Sequence, residues 1–86
     1  MEPQQTAAME LMKALNARQV QSAMAMRADG YSVILSDVHP PTTVHFGFGQ
    51  FREIAVQLIF DGRQSPVRTT DPDEIADLVI AKLAGG

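Results

Sequence analysis

Between Tyr31 and Thr69 apolar residues recur at every second position in four short runs, each closed by turn-forming residues. A period of two sends alternate side chains to opposite faces of a sheet, so one face must be apolar and covered. The expected strands are Tyr31–Val38, Thr43–Gly49, Arg52–Phe60 and Arg63–Thr69. If His39-Pro40-Pro41-Thr42 forms a four-residue hairpin loop, Leu35 faces Phe46, Val33 faces Phe48, Ile34 faces Gly47 and Ser36 lies opposite His45. Val33, Leu35, Val44, Phe46 and Phe48 then share one face with Ile54, Val56, Leu58 and Phe60. Asp61-Gly62 is a two-residue hairpin signal, because a type I′ turn needs positive φ at both central positions; it pairs Val67 with Val56. Pro66 lacks the N–H a central strand would need, which predicts an edge position for the last strand.

Helical sequence flanks the meander. After a polar lead over residues 1–5, expected to be flexible, the stretch 6–29 is rich in Ala, Met, Leu, Gln and Arg and has no proline. It predicts one helix, with an interruption near Asn16 as the alternative; Ala8, Met12, Leu15, Ala23 and Met26 lie on its apolar side and Asp29-Gly30 at its end. Met9, Met12, Met24 and Met26 would all sit in that helix, Met24 off the main stripe. At the other end Thr70-Asp71-Pro72-Asp73-Glu74 marks a helix start: Asp71 as N-cap, Pro72 in the first turn and Glu74 three past the cap. The second helix spans 72–84, and Ala76 and Ile80 widen its Ile75, Leu78, Val79, Leu83 stripe enough to meet the first helix or a neighbouring subunit. The predicted fold class is α+β, in the order α-β-β-β-β-α, with both helices on one face of a four-stranded antiparallel sheet and a single domain over 1–86.

Composition narrows the chemistry. A net charge of −3 and a pI near 5.1 supply no overall positive field for a nucleic-acid backbone. The chain has no cysteine, which removes thiol catalysis, thiolate metal sites and disulfides, and agrees with a cytoplasmic location. The start, Met1-Glu2-Pro3-Gln4-Gln5, opens no apolar run of the kind that signals export, and no stretch has the length of a membrane span.

The polar residues that could carry chemistry read as isolated. His39, His45 and Asp37 surround the first hairpin, but in the register above Asp37 and His45 point to opposite faces and a metal needs three or four converging ligands. Ser36 beside His45 has neither an acid in reach nor an oxyanion motif, so no catalysis is expected there. Gly47-Phe48-Gly49-Gln50-Phe51 lacks the lysine and following helix of a phosphate cradle, and glycine within a strand more often marks a bulge or bend. No cofactor motif is present. Arg52, Arg63 and Arg68 gather in the second hairpin and offer phosphates a basic patch, with Arg68 opposite Ala55.

The remaining candidate is the second face of the sheet. It carries Ile34, His45, Gly47, Gly49, Gln57, Ile59 and Arg68, with Ser32, Ser36 and Gln64 among them. Apolar anchors within a polar rim are the composition of a contact patch. The expectation is a small protein-interaction module without catalysis: an adaptor, subunit or protein inhibitor of a larger bacterial or phage-type assembly, able to form a homodimer. Nucleic-acid binding through the arginine hairpin is the alternative.

Overall fold

The computed structural model describes residues 2–85. Its elements run α1 (Pro3–Ala17), β1 (Ser22–Arg27), β2 (Gly30–Leu35), β3 (Thr42–Phe48), β4 (Ile54–Phe60), β5 (Arg63–Val67) and α2 (Pro72–Leu83). The sheet is antiparallel, with five strands in the order β1-β2-β3-β4-β5. The fold class is thus α+β, but the meander has one strand more than the sequence pattern predicts.

The extra strand replaces the second half of the expected first helix. That helix begins earlier, at Pro3, so residues 3–5 are helical, and it stops at Ala17. Gln19 adopts φ +66°; its N–H reaches the Asn16 carbonyl at 3.0 Å and the Val20 N–H reaches the Leu15 carbonyl at 2.9 Å. These are the paired bonds of a Schellman stop, made here without the usual glycine. Ser22–Arg27 then pairs along its whole length with β2, Ser22 opposite Leu35 and Arg27 opposite Gly30. Ala, Met and Arg favour helix, but the ladder offered by β2 outweighs that weak local preference. Only Met9 and Met12 remain in α1; Met24 and Met26 belong to β1.

Asp29-Gly30 accordingly closes a β1–β2 hairpin rather than a helix. Gly30 is buried with φ +140°, and a Cβ there would collide with the carbonyl oxygen of Phe46, so only glycine lets β3 approach this closely.

The β2–β3 register also differs from the four-residue-loop reading. Val33 pairs with Val44, Tyr31 with Phe46, Ser32 with His45 and Ile34 with Thr43. β2 ends at Leu35, and Asp37 takes φ +55° in a longer connection that contains a cis His39-Pro40 bond. The displacement is an even number of residues, so every side chain keeps its predicted face while its neighbours change. The β4–β5 reading needs no such change: Asp61 and Gly62 have φ +54° and +79°, Val67 pairs with Val56, and β5 lies at the edge of the sheet.

Both helices cover one face. Val33, Leu35, Val44, Phe46, Val56 and Leu58 form a continuous buried core with Ala8, Leu11 and Leu15 of α1 and Ile75, Ala76 and Val79 of α2. Leu11, absent from the predicted stripe, is fully buried, and so is Phe46. Phe48 points the same way but is 42% exposed and borders a shallow depression with the exposed Met26; Phe51, in the β3–β4 turn, is exposed as well. Asp71 caps α2 as predicted, its carboxylate accepting from the Glu74 N–H at 3.2 Å. Arg18 ties the end of α1 to α2 through Asp77 at 3.0 Å and Asp73 at 3.2 Å, and these hydrogen bonds, Asp77 foremost, raise its pKa above the ordinary value. Among the described residues no helix is long and apolar enough to cross a membrane.

Candidate functional site: the uncovered sheet face

Alternation places the other set of side chains on the face opposite the helices. The registers line them up in rows across the sheet. One row runs Ala23, Ile34, Thr43, Ile59 and Gln64; the next runs Ala25, Ser32, His45, Gln57 and Pro66. Half of these ten side chains are short, and Ile34 and Ile59 stand among them as half-buried apolar points separated by Thr43.

His45 is the most constrained group on this face. Its side chain is only 14% exposed, Nδ1 lies 2.9 Å from the Ser32 Oγ, and Nε2 lies 3.5 Å from Asp29 Oδ1 without a hydrogen bond to it. Gly47 makes the pose feasible: a Cβ there would stand 3.3 Å from His45 Nε2 and 3.3 Å from the Asp29 carbonyl oxygen, so the imidazole lies over a strand position without a side chain. Around the ring Arg27, Asp29, Thr43, Gln57, Ile59 and Gln64 border a shallow depression of about 360 Å³.

Ser32, His45 and Asp29 invite comparison with a hydrolytic triad, and the geometry opposes it. A nucleophile must touch its substrate, whereas Ser32 is 4% exposed and lies beside the imidazole in the sheet. The serine predicted to face His45, Ser36, stands beyond the end of β2, where its N–H bonds the Gln21 carbonyl. Asp37 and His39 lie in the β2–β3 connection, and no group of three or more metal-binding side chains converges among the described residues.

The predicted contact residues thus divide. Ile34, His45, Gln57 and Ile59 share the uncovered face, and Gly47 is buried beneath the His45 ring. Gly49 belongs to the β3–β4 turn, where its N–H bonds the Glu53 carbonyl at 2.8 Å and the Glu53 carboxylate fills the space a side chain would take. Arg68 lies one residue past the end of β5. The three arginines do not form one patch: Arg63 belongs to the helix-side set of β5, while Arg52 sits at the β3–β4 turn with φ +65°. Arg27, Ala23 and Ala25 join the face only because β1 is a strand; the repeated Ala-Met-Ala-Met alternation was their one signal in the sequence.

Comparison of the chain with protein-family models, with curated proteins and with solved structures finds no match in any of the three.

Proposed function

We propose that this protein is a non-catalytic interaction module whose uncovered sheet face docks against another protein, as an adaptor, subunit or inhibitor of a larger assembly. One observation carries the reading: both helices bury the same face, and the five-stranded sheet is left with a broad opposite face anchored by Ile34 and Ile59. A broad, shallow surface with apolar points and the hydrogen-bonding groups of Thr43 between them and of Gln57 and Gln64 beside them suits a protein partner, which needs shape match over a wide area rather than a deep pocket. The separation of Arg63 from Arg52 and Arg68 and the net charge of −3 both weigh against nucleic acid, which is the second reading.

The test is affinity capture from a lysate of the source cells, with and without nuclease, comparing the wild type with the Ile34→Asp/Ile59→Asp double variant. A stoichiometric protein retained after nuclease by the wild type and lost by the folded double variant is the expected outcome. Equal retention by both proteins, or retention of nucleic acid alone, contradicts the proposal.

A further inference from the structure

The two edges of the sheet are not equivalent. Ser36 N–H bonds the carbonyl of its register partner Gln21, and in an antiparallel ladder bonded and non-bonded pairs alternate. Ala23, Ala25 and Arg27 therefore turn their backbone groups toward β2, while those of Ser22, Met24 and Met26 face outward along β1. At the opposite edge the hairpin turn at Asp61-Gly62 fixes Arg63, Ser65 and Val67 as the residues bonded to β4, leaving Gln64 and Pro66 outward. Pro66 has no N–H to give, so the β5 edge is blunted; β1 carries no such block.

We infer that β1 pairs with β1 of a second copy of this chain, antiparallel about a two-fold axis at Met24, to make a continuous ten-stranded sheet from two sheets of five. This register alone uses every outward group of the strand: Met24 bonds Met24 of the partner, and Ser22 bonds Met26 at each end. It is also sterically matched. Pairing at the dyad sets Ala23 opposite Ala25 on the uncovered face, where both are short. On the helix side it sets Met26, 78% exposed in the single chain, opposite Ser22. Beside Ser22 lies a depression of about 300 Å³ bordered by Met12 and Asn16 of α1, and an incoming methionine is unbranched and adaptable enough to occupy it. The blunted β5 edge stops growth after the first pairing, so the assembly closes as a dimer instead of extending into a fibre. The pairing concerns the edge of the sheet and stands whether or not its face binds a partner.

The experiment is sedimentation of the purified full chain from about 1 μM to about 300 μM, a range that brackets ordinary transient affinities. Two single-cysteine variants, Met24→Cys and Gln64→Cys, accompany it, in a chain with no other cysteine. The expected result is a mass rising to twice 9.4 kDa and an oxidative cross-link at position 24 but not at position 64. Bonded antiparallel partners stand about 5.5 Å apart at Cα, within disulfide reach. Met24→Pro removes one outward N–H and is expected to give a folded monomer. A wild-type chain that stays at 9.4 kDa throughout, a cross-link at position 64 equal to that at 24, or a folded Met24→Pro dimer overturns the inference. Should Met24→Pro fail to fold, the cysteine pair decides alone.

Discussion

Gln19 shows what a single residue hides from the sequence. It ends α1 in a left-handed conformation at φ +66°, a geometry that glycine adopts freely and a β-carbon resists. With no glycine to mark the stop, the helix-forming composition runs on through Ala28, and the sequence leaves a break near Asn16 only as an alternative to one continuous helix. Gln19→Gly should therefore stabilise the fold by about 0.5–1 kcal/mol, since relief of the strain exceeds the added freedom of the unfolded chain. The urea midpoint is expected to rise with an unchanged slope, and a fall would mean that Gln19 is not strained. His45 poses the converse case. Its place on the uncovered face was legible from alternation, whereas its burial was not, because Ser32 becomes its neighbour only in the observed register. Removing the imidazole leaves a Ser32 hydroxyl that is 4% exposed without its partner. His45→Ala should cost about 1–3 kcal/mol in denaturant unfolding. A cost near zero would show that water replaces the ring fully.

At the scale of elements, the strands with strong β-formers and defined turns could be read directly. Asp61-Gly62 set the β4–β5 register, and Asp71-Pro72 set the start of α2. β1 could not, because its six residues, Ser-Ala-Met-Ala-Met-Arg, are mostly good helix formers and their strand state depends on a partner supplied by later sequence. The β2–β3 loop failed for a related reason: its length is set by where β2 stops, and the left-handed Asp37 that stops it carries no decisive signature. Residue-resolved amide exchange separates strand from helix within Ser22–Arg27. In dilute protein the N–H groups of Ala23, Ala25 and Arg27 are expected to be protected by β2 and those of Ser22, Met24 and Met26 to exchange quickly. Uniform protection through this stretch in dilute protein would restore the helix and remove the fifth strand. At high concentration the quick set is expected to slow as the edge pairs.

For the whole molecule, the division of labour between two faces organises everything else. One face gathers Phe46, Val44, Leu58 and both helices into the core. The other retains His45 in its Ser32 contact, two isoleucines and a rim of amides and hydroxyls. Its members from β2 to β4 were legible from the period of two, whereas Arg27, Ala23 and Ala25 were lost with the misread strand. The measurement that addresses the contact face most directly is site-specific photo-cross-linking in the source cells. A photoreactive side chain replaces Gln57, exposed on β4 beside His45 on the uncovered face, or Lys13, exposed on α1. One discrete protein adduct is expected from position 57 and none of that mass from position 13. An adduct of the same mass from position 13 alone would contradict it and move the contact surface to the helices.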